Sequence, residues 1–107
     1  MESERFVRVP TPFLEALMLA RLSGGQYRVL LWVIRQTYGW NRQWTPFTWY
    51  GIAQNLGMHR PSAYRAGQWL LTKGILIAQE KRLALQPNRG LWSSMSPGLA
   101  SVASRQL

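Results

Sequence analysis

The chain has 107 residues, enough for one domain with a modest core, and sets thirteen Lys and Arg against four acidic residues for a net charge of +9. Eleven of the thirteen are arginine, whose planar fork suits phosphate and guanine edges better than a lysine point charge does, so a polyanionic partner is expected. With no cysteine, one histidine and the four carboxylates Glu2, Glu4, Glu15 and Glu80, the chain is poorly equipped for acid–base catalysis or metal ligation, and neither an enzyme nor a cofactor is expected.

Residues 1–10 read as an N-terminal arm. Thr11 before Pro12 marks a helix start, because threonine can cap free amides and proline in the first turn loses nothing by lacking one. Phe13, Leu14, Leu17 and Met18 then recur at helical spacing, which predicts a helix from about 12 to 21. In "SGGQ", Ser23 and Gln26 have the spacing of a capping box. Behind it Tyr27, Leu30, Leu31, Ile34 and Tyr38 share a face, and Val29, Trp32 and Val33 make the helix apolar nearly all round, as a helix at the centre of a core is. Gly39 is expected to close it in the left-handed conformation.

"WNRQWTPF" holds Pro46 and reads as a loop leading into a short edge strand. Thr48 caps a third helix through Leu56, with Ile52, Ala53 and Leu56 inward, and Gly57 stops it. Pro61 opens a fourth helix running to about Thr72, ended by Gly74. "ILIAQ" and "RLALQ" alternate around "EK", which predicts a two-stranded hairpin over about 75–86. From Pro87 the chain is rich in Ser, Gly and Pro, so residues 87–107 read as a flexible tail or linker after a domain spanning 11–86. No apolar run approaches the roughly 18 residues of a membrane span, and "MESERF" places two acids where a signal peptide carries bases. A soluble, intracellular protein without a membrane partner is expected.

The third and fourth helices carry the functional signal. Ala53 and Gly57 have the four-residue spacing of a helix-turn-helix, in which a small residue lets the second helix cross close by and a glycine makes the turn. Ala63, Ala66 and Leu70 form the inward stripe of the second helix and leave Arg60, Ser62, Tyr64, Arg65 and Gln68 outside. A recognition helix presents its N-terminal end to the major groove, where arginine pairs with guanine and glutamine with adenine. His59 reads as a cap or a phosphate contact, since a lone histidine has no partners for a metal. The hairpin makes the whole a mainly α winged helix-turn-helix, with Lys81 and Arg82 on a wing that reaches along the DNA backbone. Trp32 and Trp40 read as core. Trp44, Trp49, Trp69 and Trp92 exceed what so small a domain buries and point to an interface with a second subunit or another protein.

The residues resemble the N-terminal domain of the bacteriophage replication protein O family. "FVRVPTPFLEAL" is similar to its opening segment, "LSGGQYRVLLWVIRQTYGWN" to its most recognisable stretch, and "IAQNLGMHRPSAYRAGQWLLTKGIL" to its helix-turn-helix, together covering roughly residues 6 to 77. The resemblance implies a winged helix that binds repeated sites in a phage replication origin in the bacterial cytoplasm and helps bring the host helicase there through a partner. The family's exposed positions fall on His59, Arg60, Pro61, Ser62, Tyr64, Arg65 and Gln68. The family tends to have leucine where Gly67 and Lys73 stand and a polar residue where Trp69 stands, so a looser or reposed helix is expected. Family members also continue into a C-terminal region that contacts replication partners, and these 107 residues are expected to be a DNA-binding fragment or a minimal version.

The expected function is sequence-specific binding of double-stranded DNA at a replication origin, with a helicase or helicase loader as a further partner. A homodimer is expected because one short helix covers few base pairs. A transcriptional regulator of the same fold and, more remotely, a protein-interaction module are the alternatives.

Overall fold

The computed structural model describes residues 6–87 and contains, in chain order, α1 (Thr11–Leu19), α2 (Gly24–Thr37), a 3₁₀ turn (Tyr38–Trp40), β1 (Thr45–Pro46), α3 (Trp49–Leu56), α4 (Arg60–Thr72), β2 (Leu76–Gln79) and β3 (Arg82–Leu85). The expected tail and Trp92 lie outside the described residues. The molecule is thus mainly helical with one small sheet. No described helix is long and apolar enough to cross a membrane.

The capping box forms as its spacing predicts. The Ser23 hydroxyl accepts from the Gln26 amide at 3.1 Å, and the Gln26 side chain accepts from the Ser23 amide at 2.9 Å, so two donors left open at a helix start are satisfied reciprocally. α2 then buries Val29, Leu30, Val33, Ile34 and Thr37. The Thr37 hydroxyl bonds back to the Val33 carbonyl at 2.7 Å, which makes its burial tolerable. Leu31, expected on the inner face, is exposed.

Gly39 does not close α2. The helix tightens into the 3₁₀ turn, and Asn41 takes the left-handed conformation at φ 55. That extra turn carries Trp40 past the core: it is 55% exposed, with the Arg35 guanidinium over its ring, rather than buried as expected. Tyr38 packs against Phe13, and burial pushes its phenol above the usual tyrosine range.

α1 begins one residue before the expected start. Pro10 occupies the cap position, and Thr11 lies inside the helix and makes no cap. The helix ends at Leu19, where Ala20 turns extended, and the Tyr27 hydroxyl, reaching from α2, donates to the Leu17 and Ala20 carbonyls at 3.0 and 2.6 Å. Tyr27 is therefore a tie between two helices as well as part of the apolar face. Phe13, Ala16 and Leu17 are buried, whereas Leu14 and Met18 face outward.

β1 joins the hairpin in a three-stranded antiparallel sheet of order β1-β3-β2, in which Thr45 pairs with Leu83 and Pro46 with Arg82. Pro46 is thereby on an edge strand, where its missing amide costs least. A lone hairpin is marginal in water, and this third strand with the buried Leu76, Leu83 and Leu85 gives it a face to rest on. The hairpin turns through Glu80 and Lys81, with φ 51 and 64. Both are left-handed, as a two-residue turn matching the strand twist requires, although neither is glycine or asparagine.

Candidate nucleic-acid interface

α3 and α4 are set by local chemistry at each end. The Thr48 hydroxyl accepts from the Gly51 amide at 2.9 Å and starts α3. Gly57, at φ 63, stops it, and the Met58 amide returns to the Ala53 carbonyl at 2.9 Å. The Arg28 side chain, reaching from α2, donates to the Leu56 carbonyl and fixes that same end. α4 follows after His59. The histidine occupies the cap position, but its side chain makes no cap hydrogen bond, so the capping role expected of it is absent.

On α4 the predicted inward stripe holds: Ala63, Ala66 and Leu70 are buried, joined by Gly67. Arg60, Tyr64 and Arg65 are exposed with His59 just before them, while Ser62 and Gln68 are half-buried. Lys81 and Arg82 are exposed on the separate hairpin tip. The tip is tied to the start of α3, because the Phe47 amide donates to the Lys81 carbonyl at 3.4 Å.

An aromatic chain that the sequence reading missed runs from that tie to α4. The Phe47 and Trp49 rings meet edge-on at 4.9 Å, and Trp49 meets Tyr64 at 5.8 Å and 86°. Trp49 is seated on the backbone of α4: a Cβ on Gly67 would lie 2.1 and 2.2 Å from its ring atoms. Gly67, which suggested a loose helix, is thus the floor of a close contact. Trp49 and Trp69 both pack against the core, so the surplus of tryptophan is smaller than expected. Tyr50 was also missed. It is 54% exposed, with the Arg60 guanidinium 5.8 Å from its ring centroid. Since Ile52 and Ala53 mark the inner face of α3, helical spacing alone puts Tyr50 outside.

Residues 6–87 carry ten basic side chains against Glu15 and Glu80. Some of these bases hold the fold instead of facing a ligand. Arg42 donates to the Gln36 carbonyl at 2.8 Å and to the Thr45 hydroxyl at 3.2 Å, as Arg28 does to Leu56. Arg65 lies differently, at the lip of a shallow cleft of about 340 Å³ between α4 and the start of α2, with Ser23, Gln26, Ser62 and Trp69 around it. The positive end of α2 adds to the potential there. A second open cleft, about 460 Å³, lies at the far end of α2 and contains Arg42 but no acid or histidine. Among the described residues no group of three His, Cys, Asp or Glu could hold a metal ion.

The profile of the family described as bacteriophage replication protein O matches residues 2–92. The chain belongs to that family. As a replication protein O family member it is also similar to DNA replication protein gp18 of Salmonella phage P22, with 26% identity over 105 residues, or 95% of this chain. It spans 38% of that relative's length. No solved structure matches. Both the family and this relative are named for replication.

Proposed function

We propose that this replication protein O family member is a winged-helix module that binds double-stranded DNA sequence-specifically at a phage replication origin. The observation that carries the reading is the outer face of α4, where His59, Arg60, Tyr64 and Arg65 stand exposed at the helix's N-terminal half with no acid among them. From α2 onward the order helix, strand, helix, helix and hairpin, with β1 pairing with β3, supports a winged-helix reading. α4 enters the major groove and its arginines address guanine edges. Lys81 and Arg82 lie along the phosphates, which position the protein without carrying sequence information. Ser62 and Gln68, half-buried, meet DNA at the margins of this face. The protein acts by binding and performs no catalytic step. Two copies on adjacent half-sites supply the specificity that one short helix lacks, and contact with a helicase or its loader links the bound origin to replication.

The test is retention of duplexes from a random pool, followed by titration of the best one across salt concentrations. With about 4 to 6 phosphate contacts, log affinity falls against log salt with a slope of about −4 to −5. A flat response, or no enrichment of any sequence, overturns the reading.

A further inference from the structure

We propose that Tyr50 is a positioning residue that holds Arg60 ready for a base edge, so that α3 contributes to sequence reading through a residue of α4. The inference rests on the reading of α4 given above. Tyr50 is the second residue of α3 and Arg60 the first of α4, and their side chains meet across the two helices. The guanidinium lies 5.8 Å from the centre of the Tyr50 ring, within the range of a cation–ring attraction.

The chemistry favours this role over a chance surface contact. An arginine on a solvent-facing helix start samples many rotamers, and ordering it on DNA subtracts from the gain of contact. A ring held 5.8 Å from the guanidinium restricts that freedom beforehand. The attraction acts on the charge of the group and takes up no hydrogen-bond acceptor, so its N–H donors remain for the two acceptors of guanine. Among the described residues, the cation–ring pairs Arg35 on Trp40 and Lys73 on Trp69 have their cations away from the start of α4 and serve no such end. Tyr50 is half exposed, so replacing it opens no cavity in the core.

The experiment measures equilibrium binding of the whole chain to the best duplex recovered from the random pool, to its single-base variants and to a random duplex, at one salt concentration. Tyr50→Leu is expected to weaken the selected duplex roughly two- to fivefold, to relax preference at one base pair, and to leave the random duplex within twofold. Tyr50→Phe, which keeps the ring and removes the hydroxyl, binds like the original protein. In an Arg60→Ala background, Tyr50→Leu adds less than a further twofold, because its effect passes through Arg60. The inference is overturned if Tyr50→Leu changes nothing, if Tyr50→Phe is as weak as Tyr50→Leu, which marks a hydroxyl contact to phosphate, or if the two losses add in full. It is equally overturned if Arg60→Ala has no effect on a duplex that the protein does bind, an outcome that leaves origin binding intact. Failure of the unaltered protein to retain any duplex overturns the proposed function itself.

Discussion

The chain makes two tight turns beside the proposed DNA face and meets the same backbone demand with opposite residue types. Between α3 and α4 the left-handed position is Gly57, at φ 63. Between β2 and β3 the left-handed positions are Glu80 and Lys81, at φ 51 and 64. For a residue with a side chain that conformation costs about 1–2 kcal/mol. The first turn has only to set one helix against another, and glycine does so without strain. The second keeps a charged residue where glycine is conformationally better, and strain of this kind persists where the side chain has a use. The α3–α4 turn thus carries no such strain, whereas the hairpin turn holds two left-handed side chains of opposite charge, of which only Lys81 has a use in the proposed contact with phosphate.

The contrast breaks most severely inside the packed unit, at Gly67. Alanine there raises helix propensity by roughly 0.5–1 kcal/mol, but its Cβ would lie 2.1 Å from a Trp49 ring atom. Overpacking of that kind costs about 1–3 kcal/mol and occasionally more, so it wins. Gly67→Ala is expected to lose about 1–2 kcal/mol in urea unfolding, and Trp49→Leu in the same chain to recover part of that loss. A Gly67→Ala protein more stable than the original means that Trp49 does not rest on α4.

The largest effect on DNA sharpens the division between reading and positioning. Arg65→Ala is expected to cost about 1–3 kcal/mol on the best selected duplex and to relax preference at one base pair. Arg82→Ala, at the hairpin tip, is expected to weaken selected and random duplexes alike and to make the salt slope shallower by about 1. Both proteins stay folded, because each arginine is exposed. Equal loss on every sequence for Arg65→Ala removes α4 from the role of reader.

What could be read in advance follows the same line. Features written in neighbouring residues were legible: the Ser23–Gln26 box, the Thr48 cap, the Gly57 stop, and the inward stripe of Ala63, Ala66 and Leu70. The exposure of Arg60, Tyr64 and Arg65 followed from that stripe by geometry, whereas Ser62 and Gln68, expected outside with them, are half-buried. Features that depend on distant partners were not legible. Gly39 looked like a helix stop until the 3₁₀ turn passed the left-handed role to Asn41, and Trp40 was carried outside with it. Gly67 looked like a weak point because its filler, Trp49, comes from another helix. Arg28 and Arg42 counted toward a polyanion although backbone carbonyls hold them. The pairing of Thr45 with Leu83 joins residues too far apart in the chain for any local pattern to register it.

The smallest effect tests the comparison at its source, the two residues of the hairpin turn. Asn followed by Gly is the pair best suited to this turn, so Glu80→Asn and Lys81→Gly each move it toward its preferred sequence. At Lys81, relief of about 1–2 kcal/mol of left-handed strain is set against roughly 0.5–1 kcal/mol of added freedom in the unfolded chain, a net gain of about 0.5–1 kcal/mol. Asparagine tolerates the left-handed region at little entropic cost, so Glu80→Asn gains a similar amount. On DNA the two are expected to part. Glu80→Asn removes an acid from the tip proposed to lie along phosphate and is expected to tighten binding to every duplex, while Lys81→Gly removes a base and is expected to loosen it with a salt slope shallower by about 1. Urea unfolding and duplex titration on the same two proteins read both quantities. If stability rises in both and affinity moves in neither, the tip lies away from the phosphates, and the strain held at Lys81 has no explanation in DNA binding.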